Sequence, residues 1–213
     1  LAVAPLVASG DNLAAIDYSP RLIAMDGWDA ALYQQLSEKF PHALIALRTA
    51  FDDPDLLAYF QAGVRVFHLT ANYHGRGDQG DFVLDLIRAA HKRFVDAGIR
   101  QEVTLLGSVG IIAAEHVPKA IICGLDAVVL DTPLLVALQA TFSDDCVDRA
   151  TSDFQLPRLD AAWGAQRLQN LMASWRDQLL EILGAMGLRE VRRLRGEMGR
   201  AMFMRDLEAV AFM

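Results

Sequence analysis

The stretch VRVFHLTANYHGRGDQGDFVLDLIRAAHKRFVDAGIRQEVTLL, from Val64 to Leu106, decides the fold. Val64 to Thr70 is a short apolar run of strand character, and Asn72 to Gly80 is polar and glycine-rich. Phe82 to Ala97 repeats apolar residues at helical spacing and stops at Gly98, after which Glu102 to Leu106 is apolar again. A strand, a helix and a second buried strand in that order make one βαβ unit, whose strands run parallel.

The same alternation extends both ways. Upstream, Leu1 to Ser9 reads as a buried strand; it resembles a signal-peptide core in length but lacks a basic start and a cleavage pattern. Arg21 to Met25 is the next strand, and Trp28, Ala31, Leu32, Leu36 and Phe40 mark a helix. His42 to Thr49 is a strand, and Asp53-Pro54 predicts the start of a helix through Phe60 that Gly63 closes. Downstream, Pro118 predicts a helix starting near His116, stopped by Gly124, and Ala127 to Leu130 is a strand. About six strands imply an α/β fold with a parallel sheet, either doubly wound or a parallel (β/α) barrel of TIM type. The barrel is the preferred reading. A complete one runs to about 250 residues and eight strands, so the barrel is expected to be incomplete by two units at its N-terminal side. The expected division is barrel units over residues 1–142 and a C-terminal linker and helical extension over 143–213. The extension carries a helix from Ala161 to Met186 whose stripe includes Leu168, Leu171, Met172, Trp175, Leu179, Ile182 and Leu183.

With 213 residues, 53% hydrophobic and 22% charged, the chain can bury a good-sized core. Its formal net charge of −7 repels a phosphate backbone, and no basic stripe with interleaved aromatics appears, so nucleic acid is not an expected partner. No apolar stretch reaches the ~20 residues of a membrane helix. Cys123 and Cys146 form no ligand pattern, so no metal site is expected and a reducing cytoplasm fits.

In a parallel barrel, the loops after the strands hold the active site, and those after the last two strands often bind phosphate through backbone N–H groups. Here these are Gly107-Ser108-Val109-Gly110 and Asp131-Thr132-Pro133. Either is equally readable as a tight strand exit with no ligand. In the loop after Thr70, His74 supplies a titratable imidazole and Arg76 a guanidinium suited to a carboxylate or phosphate, unless the loop is only a solvated connector. Arg48, near its strand's end, is a candidate to neutralise an anionic cofactor or else to pair with Asp52 or Asp53. His68, flanked by Phe67 and Leu69, reads as a hydrogen-bonded core histidine. Asp131 beside a phosphate is repulsive unless it is paired or points away. Arg189, Arg192, Arg193, Arg195 and Arg200 suit an acidic partner or a phosphate, or form a solvated face balanced by Glu190, Glu197 and Asp206.

The segment EVTLLGSVGIIAAEHVPKAIICGLDAVVLDTPLLVAL, Glu102 to Leu138, and the tail LLEILGAMGLREVRRLRGEMGR, Leu179 to Arg200, resemble the FMN-binding barrel of the glutamate synthase family. The resemblance implies FMN, with its phosphate near Gly107, Ser108, Gly110, Asp131 and Thr132 and its ring near Arg48. It also implies His74 and Arg76 as catalytic residues near a small-molecule substrate, in the reduction of a 2-oxoglutarate imine to glutamate. The chain departs from the family pattern at several positions. Val109 stands where the family has a glycine, Leu130-Asp131-Thr132 replaces a glycine-rich turn, and Arg48 replaces a lysine. Only Cys146 occurs where the family has three cysteines, so no iron-sulfur cluster is expected. The alternative is a non-catalytic barrel fragment serving as a structural or partner-binding subunit. Either form is expected to associate with itself, with the missing barrel part or with an electron-transfer subunit.

Overall fold

The computed structural model describes residues 5–7, 13, 15–143, 145–147 and 151–197. Most of the expected strand over Leu1 to Ser9, and Arg200 and Asp206, lie outside the described residues. Six parallel strands form one sheet: β1 (Leu6–Val7), β2 (Leu22–Asp26), β3 (Leu44–Ala50), β4 (Val66–Thr70), β5 (Thr104–Ser108) and β6 (Ala127–Val128). They are hydrogen-bonded in sequence order with no reversal. Crossovers between parallel strands are right-handed, so an unreversed order sends every connecting helix to the same face. A doubly wound sheet needs a reversal. The order therefore belongs to the barrel type, here an arc of six strands in which β1 and β6 are not paired with each other.

Period-two alternation separates the faces. Phe67 of β4 packs its ring 5.1 Å from Phe94 of helix α3 (Val83–Asp96), so Phe67 and its register partners Leu47 and Leu105 face the helices. All three are fully buried, as are Ile23, Met25 and Leu69. The intervening residues face the inside of the arc. One row there runs Asp26, Arg48, His68 across β2, β3 and β4, and Ser108 pairs in register with Thr70 one step higher.

The connecting helices are α1 (Ala30–Lys39), α2 (Leu56–Gln61), α3 and α4 (His116–Cys123). Pro118 locates the start of α4 at His116, as expected from sequence. Helix α2 begins two residues later than the expected Pro54. The Asp53 carboxylate that would cap it instead accepts from the Asp55 N–H at 2.9 Å and from the Thr49 hydroxyl. Beyond β6, Thr132 to Ala137 forms helix α5 where an open loop was expected, and the strand expected through Leu130 ends at Val128. The polar stretch after α5 contains an antiparallel pair, β7 (Thr141–Phe142) and β8 (Phe154–Gln155), too short to announce itself by alternation. The long helix α6 (Ala161–Ala185) follows, capped by the Asp160 carboxylate on the Trp163 N–H at 2.8 Å. Its stripe touches the body mainly through Leu183, which joins Ile121, Ile122 and Leu194 in a second apolar cluster; Met172 stays 47% exposed.

The N-terminal edge of the sheet is fastened by Arg100, a buried cation in a short 3₁₀ turn (Arg100–Glu102). A buried charge is tolerated only when it is fully hydrogen-bonded. Arg100 donates to the carbonyls of Val103 and Gly124, to the Asp126 carboxylate at 2.9 Å and to Nδ1 of His91 at 3.0 Å. Gly124, at φ +134°, lets the chain pass against the His91 ring, where a Cβ would lie 2.4 Å from that side chain.

Accepting from Arg100 requires Nδ1 of His91 to be unprotonated. Burial, and then the Arg100 charge, lower the His91 pKa from its ordinary value of 6.5. The native state thus favours neutral His91, so its contribution to stability is complete above pH 6.5 and is lost as pH falls through the native value. The urea midpoint is expected to drop on acidification below that pH, and His91→Gln to flatten part of the drop. An unchanged slope in the variant counts against this assignment.

Candidate functional site

At the C-terminal edge of the sheet, the loops after β4, β5 and β6 meet around a cavity of about 1130 Å³. Gly75, Val83, Gly110, Ile111, His116 and Thr132 are among its walls, with Phe142 and Asp145 closing one side. His74, Gly110 and Thr132, three of the expected site residues, come together here; the other five lie outside the lining.

Gly110 adopts φ +66°, and a Cβ there would lie 2.6 Å from the Tyr73 carbonyl oxygen and 2.7 Å from the Gly75 nitrogen. Close backbone approach therefore requires glycine at this position. The turn it opens leaves the backbone N–H groups of Gly110 and Ile111 without an acceptor among the described residues, and both residues line the cavity. His116, Lys119 and Arg88 add cationic or protonatable groups, against Asp85 and Asp145. Arg88 also meets Asp85 at 3.5 Å. Burial lowers the His116 pKa, opposed by Glu115 and assisted by Lys119. Its Nδ1 accepts from the Ile112 N–H at 3.4 Å. In the sequence His116 marks only a helix start, and Lys119 is not singled out. Their three-residue spacing on one helix was the available signal.

The remaining expected residues are held elsewhere. Gly107 lies on the helix-facing side, where a Cβ would come within 2.4 Å of Leu125. Ser108 is buried, and its hydroxyl meets Nε2 of His68 at 2.8 Å. Arg48 pairs across the sheet with Asp26 at 2.6 Å rather than with Asp52 or Asp53. Asp131 turns its carboxylate to the Thr132 N–H at 2.7 Å as the cap of α5. Arg76 donates to the Gly80 carbonyl at 3.0 Å, and its backbone N–H meets the Asn72 side chain, closing its own loop. His74 donates from Nε2 to the Asp145 carbonyl at 2.7 Å, tying the β4 loop to the extension.

Replacing Gly110 by alanine tests the packing role. It is expected to cost about 2–4 kcal/mol, because both the positive φ and the backbone contacts oppose a methyl group. Gly184→Ala in α6, which would meet nothing within 4 Å, is the control. It is expected to stabilise by about 0.5–1 kcal/mol. Equal urea midpoints for the two variants would contradict this account.

The family described as the conserved region in glutamate synthase matches residues 76–189, a little over half the chain. The archaeal glutamate synthase [NADPH] of Methanocaldococcus jannaschii is 36% identical over 121 residues, covering 54% of this chain and 24% of that protein. That of Archaeoglobus fulgidus is 34% identical over 117 residues, covering 52% and 23%. The chain thus spans about a quarter of the length of these relatives. Among solved structures, an Arg-to-Lys mutant of flavocytochrome b2 superposes with a TM-score of 0.60 at 13% identity, covering 98% of this chain and 58% of that one. A mutant of the same protein with sulfite bound gives 0.59 at 14% identity, over 92% and 52%. These likenesses establish the fold, and the match over residues 76–189 establishes the family: the chain belongs to the glutamate synthase family.

Proposed function

We propose that the chain is an FMN-binding oxidoreductase domain of glutamate-synthase type. The carrying observation is the open pair of N–H groups at Gly110 and Ile111, facing a cavity shared with Thr132, Lys119 and His116. Two backbone donors, a hydroxyl and a nearby ammonium fit a phosphate monoester, so the residues present suit the anionic end of FMN. Bound FMN would supply hydride transfer, with 2-oxoglutarate imine as acceptor in the parent reaction. Arg48 and His68, on the inner face of the sheet, would hydrogen-bond the ring system, with Asp26 holding the Arg48 guanidinium in position. Gly107 and Ser108 act one step removed, by admitting Leu125 and by fixing the His68 imidazole. Asp131 serves the site by capping α5 and setting Thr132. His74 and Arg76 order the loop on the substrate side through their bonds to Asp145 and Gly80. Cys123 and Cys146 are not joined in a disulfide, which fits a reducing cytoplasm.

A second reading keeps the fold and drops the chemistry. Arg48, Arg76 and His74 already have partners within the chain, and Cys146 is the one cysteine near the position of the family's cluster ligands. A structural subunit that associates with other barrel units or with an electron-transfer protein accounts for both facts.

Purified protein is expected to carry flavin absorbance or to acquire it when FMN is added, with Lys119→Ala weakening uptake by roughly tenfold. Colourless protein that takes up no FMN would sink the enzyme reading and leave the structural one.

A further inference from the structure

The opposite, N-terminal edge of the sheet holds a second cavity, of about 610 Å³, between His91 of α3, Arg100, Gln101 and the tail residues Arg192, Arg193 and Arg195. Four guanidinium groups stand in its wall, in a chain whose net charge is −7. Their carboxylate partners are fewer. Asp126 is fully used: one oxygen accepts from Arg195, and the other accepts from Arg100 at 2.9 Å and from the Leu105 N–H at 2.8 Å. Glu190 reaches Arg193 only at 4.0 Å, in an exposed pair of little energetic weight. No carboxylate among the described residues reaches Arg192. Among the described residues, two negative charges therefore stand beside four positive ones.

We propose that this cavity binds a small phosphate-bearing molecule. Arg192 and Arg193 would supply forked donors to its oxygens, and Arg195 and Arg100 would contribute their fields from the wall. A planar fork with weakly hydrated charge is the side chain best matched to phosphate oxygens. Apart from the His91 imidazole, no aromatic side chain among the described residues lines the cavity, so these residues offer little stacking surface to a nucleobase. The phosphate is the recognised part. The site is separate from the FMN cavity, since β5 runs from one edge to the other and its five residues span roughly 16 Å. The tail is already fastened here by the Gly196 N–H on the Ile122 carbonyl at 3.0 Å and by Arg195 on Gln101 at 2.6 Å. A ligand bridging the tail to α3 adds to that attachment and stabilises the native state.

Inorganic pyrophosphate is the probe, titrated calorimetrically and by thermal unfolding with ionic strength held constant by sodium chloride. The expected result is saturable binding and a raised Tm, weakened at least tenfold by the double variant R192Q/R193Q. Arg189→Gln, outside the cavity lining, should leave it unchanged. Both arginines of the double variant are exposed, and a native circular dichroism spectrum with unaltered FMN uptake confines the effect to this edge. Absence of saturable binding to the unaltered protein, equal affinity in the double variant, or the same Tm shift from sodium chloride alone would overturn the proposal.

Discussion

Strict period-two alternation along β2 to β5 is the constraint on which the rest of the molecule depends. With every crossover helix on one face, each strand gives most of its odd or even residues to the apolar layer, Thr49 being a polar exception at the end of β3. Ile23, Met25, Leu47, Phe67, Leu69 and Leu105 do so and are fully buried. The other set lies inside the arc, where Ala46 and Val66 are buried and the positions nearer the C-terminal ends are polar. Asp26, Arg48, His68 and Ser108 occupy it without disturbing the core. A shift of one residue in any strand would drive these polar groups among the helices and expose the apolar row.

The ends of the strands complete the division of labour. Toward the C-terminal ends, backbone approaches backbone so closely at Gly110 that side chains are excluded, and amide groups remain open beside a cavity. Toward the N-terminal ends, Arg100 and Asp126 knit α3, the approach to β5, the approach to β6 and the tail into one hydrogen-bonded unit. Removing one member of such a unit costs far more than the pair contributes over a well-packed apolar replacement, since it leaves a buried charge uncompensated.

Much of this was legible from the residues alone, for local reasons. Strand and helix alternation, the start of α4 at His116 and the stops at Gly98 and Gly124 follow from periodicity, proline tolerance and glycine at positive φ. The family could be read from Glu102 to Leu138 and from the tail. What was hidden depends on register. Arg48 lies 22 residues from Asp26 and beside it across the ladder, while His68 and Ser108 are 40 residues apart. Nearer carboxylates, Asp52 and Asp53, looked like better partners in the sequence, but Asp53 was already engaged by Thr49 and Asp55. Asp131 beside Thr132 and Pro133 carried an ordinary capping signal. The helix it starts has only six residues, too few for apolar spacing to mark it in the sequence.

The bond from His74 to the Asp145 carbonyl, together with that from the Tyr73 N–H to the Val147 carbonyl at 3.1 Å, makes the extension a party to whatever the cavity does. Tyr73 and Gly75 are the same residues whose backbone presses on Gly110. Both bonds join the segment between β7 and β8 to the loop that rims the cavity. The loop after β4 is therefore packed between the rest of the sheet edge and the β7 and β8 segment, and its shape is set from both sides.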